Sequence, residues 1–371
     1  MKLDKNQRAF FLLVQAGLWE RDVRLSPFED IDFRKVYTLA EEQSVVGLVA
    51  AGIEHVVDVK VPKEVALRFV GSTLQLEQQN LAMNEFMARL INQLRDKGIY
   101  ALLVKGQGVA QCYERPLWRA SGDVDLLLGE CDYEKAKAYL MPHAVAVEEE
   151  YTAFKHLGMT MKEGFVVELH GTLHSRLSKR MDRGIDEAQS DVFCSENVRS
   201  WQNGSTQVFL PGIDDDVIFL FTHILHHYYL EGIGLRQICD WCRFLWTYRE
   251  KLDIQILRHR LENMGLMSEW RAFAALAVNW LGMPVESMPL YSSDKRWSRK
   301  AERILEFVIE CGNFGHNRQR TAPKSFLGGK IVSMWRKTKD FGRHVRVFPL
   351  DSVKFYFHFV GDGIQLASKQ G

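Results

Sequence analysis

The 371 residues carry 48 Lys and Arg against 47 Asp and Glu, and 46% of the side chains are apolar. A near-neutral chain of this length can bury one or two full cores, and it is not built wholly around wrapping nucleic acid. The six cysteines follow no disulfide-framework spacing, the start lacks an apolar signal-like core, and no apolar run nears the roughly 20 residues that span a bilayer, so a cytoplasmic protein is expected.

Helical spacing opens the chain. Phe10, Phe11, Val14 and Leu18 recur on one face, and Leu39, Val45, Leu48, Val49 and Ile53 predict a second helix over 33–55. A third, longer helix is expected from Pro62, a natural first helical position, to Gly98, a natural stop, with a stripe through Leu67, Val70, Leu74, Leu76, Leu81, Phe86, Leu90 and Leu94.

The period then changes. Residues 100–104 predict a buried strand, Lys105 to Gly108 a tight glycine loop, and the following residues a short helix to about Glu114. After Pro116 a second apolar run begins in which Asp123 and Asp125 alternate around Val124. On a strand of period two, both carboxylates leave one face while Val124 enters the core. Like charges so placed repel, and a divalent cation is the usual agent that offsets them. The plainer reading is an edge strand ending at solvent.

Asp132 is expected to cap a helix over 133–140, and three short strands follow over 145–154, 157–162 and 165–169, with turns at His156-Leu157-Gly158 and Lys162-Glu163-Gly164. If the last strand lies beside 122–128, Glu168 supplies a third carboxylate. Three hard oxygen ligands, completed by phosphate oxygens and water, suit magnesium and nucleotide chemistry. His170 and His174 flank that strand end; no further spacing completes a zinc set, and His170 is expected to orient Glu168 or touch substrate.

The loop Lys105-Gly106-Gln107-Gly108 offers close backbone approach and a nest of amide hydrogens that suits an anion, or it is only a turn. It has neither P-loop spacing nor a full dinucleotide fingerprint, since Gln111 fills the third glycine position. Lys105, as a point charge, and Arg119, as a two-pronged donor, could hold triphosphate oxygens. Lys105 could equally be a solvated strand end, and Arg119 a salt bridge orienting Asp123 or Asp125.

The order Leu-Val-Lys-Gly, a short helix, then Arg119 three residues before Gly122-Asp-Val-Asp-Leu-Leu, with a later Glu168-Leu-His, resembles the nucleotidyltransferase superfamily of polymerase-beta type. More narrowly it is similar to a bacterial nucleotidyltransferase-like family with that core. The resemblance implies that Gly106 and Gly108 meet an incoming nucleoside triphosphate, ATP or another, that Asp123, Asp125 and Glu168 bind Mg2+, and that Asp240, on a later helix, faces the cleft. Gln107 stands where that family usually has a small hydroxyl residue.

Residues 175–205 are polar and weakly patterned, and Pro211-Gly212 turns. Helices are expected over 213–230, 235–248, 254–261, 267–281 and 301–310, with a broken loop at 312–329 and a partly helical tail. His223 and His227 share a helix face without the zinc-protease glutamate, and so read as core or cleft-wall residues, with a base or acceptor packing on His223, His226 or Tyr229 as the functional reading. Arg236 and Asp240 fit an ordinary helix pair, and Cys239 and Cys242 lie within the same helical pattern, away from redox use. Residues 291–350 hold 14 Lys and Arg against 5 Asp and Glu, interleaved with Trp297, Phe307, Phe314, Trp335 and Phe341. This is a solvated face or a site for a polyanion or acidic lipid.

The expected fold is α+β: a nucleotidyltransferase core of polymerase-beta type with a mixed sheet at 99–210, between a helical N-terminal region at 1–98 and a helical C-terminal domain at 211–371. The expected activity is magnesium-dependent transfer of a nucleoside monophosphate from an NTP to a hydroxyl or phosphate acceptor, possession of an anionic acceptor being open and nucleic acid not favoured. The rival readings are a non-catalytic nucleotide-binding or protein-interaction member, which Gln107 favours, and a kinase-like enzyme, which lacks the glycine-rich hairpin and Asp-Phe-Gly or His-Arg-Asp strings.

Overall fold

The computed structural model describes residues 3–150, 155–195, 197–315 and 338–358. Helices α1 (Lys5–Trp19), α2 (Phe33–Glu42), α3 (Val46–Glu54) and α4 (Lys63–Asp96) lead into β1 (Ala101–Val104), α5 (Gly106–Ala110), β2 (Asp123–Leu128), α6 (Glu130–Leu140), β3 (Ala144–Val147), β4 (His156–Met161) and β5 (Val166–His170). Helix α7 (Lys179–Cys194), strands β6 (Val198–Asn203) and β7 (Thr206–Pro211), and helices α8 (Ile213–Leu230), α9 (Leu235–Tyr248), α10 (Ile254–Met264), α11 (Met267–Leu281) and α12 (Lys295–Cys311) follow. Residues 338–345 and 349–358 are helical as well.

The main sheet runs β1-β2-β5-β4-β3, with β2 and β5 parallel and its other pairs antiparallel; β6 and β7 form a separate hairpin. One face of the sheet, through Leu103, Val124, Leu126, Val167 and Leu169, packs on the second half of α4 and on α6. The period-two alternation therefore leaves Asp123, Asp125 and Glu168 together on the opposite face. The fold is a mixed α/β core flanked by N- and C-terminal helical regions.

Helices from the two ends of the chain share one apolar core. Gln15 Nε2 donates to the Trp280 carbonyl at 3.0 Å, and Trp19 Nε1 to that of Leu281 at 2.6 Å. Helices α1 and α3 cross closely because Gly17 and Gly52 face them: a Cβ on Gly17 would lie 1.9 Å from the Leu48 carbonyl oxygen.

Several local expectations change. The helix expected over 33–55 breaks after α2, where the buried Gln43 donates to the Val308 carbonyl and accepts the Leu235 amide, and Ser44 takes a positive φ of 54°. On α4 the stripe shifts: Leu67, Val70, Leu74 and Leu81 are exposed, while Val65, Phe69, Thr73 and Asn80 are buried. Asp132 does not cap α6; Gly129 precedes it, and Asp132 sits in the first turn, accepting the Tyr100 amide. His156, Leu157 and Gly158 form strand rather than a turn, because β4 pairs with β5 there. The polar stretch after Ser175 contains α7, whose Met181, Ile185, Ala188 and Val192 are buried at helical spacing.

Helix α12 starts before the expected position, at Lys295, and Trp297 and Phe307 are core residues. Arg296 and Lys300 lie against the Trp297 ring at 4.5 and 5.2 Å. Trp335 and the Phe314 side chain, like most of the expected loop at 312–329, fall outside the described residues. The six cysteines, all among the described residues, form no disulfide.

Candidate active site

The turn out of β1 sets the site. Lys105 adopts a positive φ of 57° and Gly106 one of 40°, so the chain reverses directly into α5, and the glycines begin that helix instead of forming a separate loop. A Cβ on Gly106 would lie 3.5 Å from the Asp123 carbonyl oxygen. Gly108 faces away from the cleft: its Cβ position is 2.7 Å from Leu210 Cδ2 on β7. With five residues, α5 contributes little macrodipole, so anion attraction here falls to Lys105 and the backbone amides.

The parallel pairing of β2 and β5 brings Asp125 opposite Glu168, although they are far apart in sequence. One carboxylate oxygen from each of Asp123, Asp125 and Glu168 lies within 4.8 Å of the others. Lys105 Nζ reaches Asp125 Oδ1 at 2.8 Å, and His170 Nε2 lies 2.9 Å from the same oxygen. Glu168 Oε2 is 3.2 Å from His156 Nε2 and 3.4 Å from His170 Nε2.

These contacts separate the three acids. Asp123 is pushed up to about 6, first by the charge on Asp125, then by burial and by Glu168. Burial works against the ionised forms of Asp125 and Glu168, but Lys105 and the His170 contact hold Asp125 below the usual carboxylate range. The His156 and His170 contacts do the same for Glu168. The histidine at 170 is itself raised, its burial being outweighed by the two carboxylates. Keeping Asp123 ionised in this company costs about 3 kcal/mol at 1.4 kcal/mol per pKa unit, a cost that a bound cation removes.

A family description, uncharacterised nucleotidyltransferase, matches residues 29–282. The chain belongs to this family. Comparison with curated proteins and with solved structures gave no match. Family membership agrees with the carboxylate cluster and leaves the kinase-like reading without support.

The cleft beside the carboxylates has a volume of about 400 Å³ and runs from them, past Lys105, Gly106 and Arg119, to α8 and α9. Arg119 makes its ion pair with neither Asp123 nor Asp125. It forks onto Asp240, Nε to Oδ1 and Nη2 to Oδ2, both at 2.8 Å, and Tyr113 Oη donates to the same Oδ1 at 2.7 Å. Its remaining nitrogen, Nη1, is buried without a hydrogen-bond partner among the described residues. Arg236 donates to the Ala120 carbonyl at 2.9 Å, so it ties α9 to the segment before β2.

The α8 histidines line the far wall. His223 and His227 touch through their Nε2 atoms at 3.1 Å, His227 Nδ1 lies 2.9 Å from Glu231 Oε2, and burial together with Lys105 drives His223 well below its ordinary value. Tyr229 points to a different part of the core, where its hydroxyl donates to Glu269. His174, on the cleft wall, pairs with Asp186 at 2.6 Å.

Sequence reasoning missed His156 and Glu231. His156 is signalled only once β4 is paired with β5, because it then stands directly opposite His170. Glu231 follows His227 by one helical turn, a spacing the sequence does contain.

Proposed function

We propose that this chain is a magnesium-dependent nucleotidyltransferase that moves a nucleoside monophosphate from an NTP to a hydroxyl or phosphate acceptor and releases pyrophosphate. The supporting observation is the convergence of Asp123, Asp125 and Glu168 on one face of the sheet, within 4.8 Å. An all-oxygen donor set of this kind fits Mg2+, which when bound supplies neutralisation of the triphosphate and of the departing pyrophosphate.

The chain's own groups do the positioning. Lys105 and His170 hold Asp125 in place from two sides. Arg119, locked by Asp240, lines the cleft, and its Nη1, without a hydrogen-bond partner among the described residues, suits a phosphate oxygen. The acceptor oxygen bonds to the α-phosphorus, the bond to the bridging oxygen breaks, and the acceptor proton passes to a carboxylate or to water. A cleft of about 400 Å³ suits a nucleotide with a metabolite-sized acceptor better than a polymer.

Incubation of the purified protein with α-labelled NTPs, Mg2+ and small hydroxyl or phosphate acceptors tests this reading. Transfer of label with pyrophosphate release is expected, and its loss in Asp123→Ala and Asp125→Ala. Full activity in either variant overturns the assignment.

A second reading, a nucleotide-binding member without catalysis, draws on Gln107. Its side chain is buried, donates to Asn80 Oδ1 at 2.8 Å and does not line the cleft. Calorimetry with NTPs, with and without Mg2+, that finds binding but no pyrophosphate release favours this alternative.

A further inference from the structure

We infer that His156, Glu168 and His170 form a second ion position, beside the all-carboxylate one, that prefers a transition ion of the Zn2+ class to Mg2+. The inference shares Glu168 with the proposed transferase site but rests on the imidazoles, and it stands or falls separately from nucleotidyl transfer.

Antiparallel pairing of β4 with β5 sets His156 opposite His170, with ring centroids 4.8 Å apart and the planes inclined by 37°. Both Nε2 atoms approach one oxygen, Glu168 Oε2, at 3.2 and 3.4 Å, that of His170 lying also 2.9 Å from Asp125 Oδ1. One donor atom from each of the three residues lies within 4.8 Å of the others. Two donors about 2.0–2.2 Å from a tetrahedral ion stand roughly 3.4 Å apart, so the two measured separations already fit an ion between them.

Charge points the same way. Among the described residues, the ion pairs of Glu168 are with these two histidines alone, whereas Asp125, which shares His170, also has the Lys105 ammonium to balance it. Imidazole nitrogen is a poor ligand for Mg2+ and a good one for zinc and its neighbours. Two histidines and one glutamate are also a donor set that zinc uses where a fourth position stays open. All three residues line the cleft, so that position faces the space where substrates enter. Protons can hold the same array, with imidazole N–H groups donating to Glu168, and the experiment separates the two cases.

The full-length protein, treated with chelator and kept in millimolar Mg2+, is titrated with Co2+ as a spectroscopic probe and then with Zn2+. The expected result is one Co2+ per chain, with visible bands of mixed nitrogen and oxygen ligation, displaced by Zn2+ and not by Mg2+. His156→Ala and His156→Gln weaken uptake at least about 10–100-fold, with circular dichroism checking that each variant is folded, while Asp123→Asn keeps the bands. Absence of the bands in the wild type, or equal affinity in the folded His156 variants, means that protons alone hold the array and overturns the inference. Loss of Mg2+-dependent NTP binding with the Co2+ bands retained would instead contradict the transferase reading alone.

Discussion

Glu168 and Asp125 are direct partners across the parallel β2–β5 pairing, and that register gathers the acidic cluster. The two acids differ in their support: Asp125 is buried against Lys105 and His170, whereas Glu168 is a quarter exposed and meets two imidazoles.

Asp123 and Asp125 should respond to substitution in opposite directions. Asp123→Asn removes the repulsion that pushes this acid up to about 6, so in chelator at neutral pH it stabilises the fold by about 1–3 kcal/mol. Asp125→Asn leaves Lys105 and His170 buried beside a neutral amide and costs about 3–5 kcal/mol. Urea unfolding measures both, and both variants lose pyrophosphate release.

The Arg119–Asp240 fork should act as a structural clasp. Asp240→Asn strands the buried guanidinium and costs about 3–5 kcal/mol, and Arg119→Lys cannot restore two parallel bonds. The double replacement Arg119→Met with Asp240→Leu recovers most of the stability and not the NTP affinity. Denaturation midpoints and NTP titration separate the two effects.

Gly108→Ala should destabilise by about 1–3 kcal/mol through overpacking, since the added Cβ meets Leu210 Cδ2 at 2.7 Å. Leu210→Val in the same chain removes that atom and returns part of the loss. If Gly108 instead served the triphosphate directly, the double variant would fold normally and still bind NTP poorly.

Glu269, fully buried, accepts from Tyr229 and is pushed up to about 8 by burial and by Asp351. Between the ordinary value of 4.5 and 8 the folded chain retains a proton that the unfolded chain releases. Its contribution is therefore full below pH 4.5 and is lost as pH rises through 8, by up to a few kcal/mol. Glu269→Gln flattens that part of the stability profile, as thermal unfolding across this range would record.

Much of this architecture is legible in the chain because apolar period and glycine punctuation agree. Helices α8, α9 and α11 keep the boundaries that the pattern implies, each bordered by Gly212, Gly234 or Gly282. What escapes the sequence depends on distant partners. Gln43 breaks a helical pattern through bonds to Leu235 and Val308, Arg119 finds its carboxylate on α9, and His156 gains meaning only from strand register. Helix α7 hides behind a polar composition and Gly184, whose missing side chain makes room for Met264.

Calorimetric titration of ATP into the wild type and into an Asp123→Asn/Asp125→Asn chain, each with Mg2+ and with chelator, tests most directly whether the converging acids hold the ion that carries the triphosphate. Binding by the wild type that requires Mg2+ and vanishes in the double variant is the predicted result. Equal binding with and without Mg2+, or unchanged binding when both acids are gone, would contradict it.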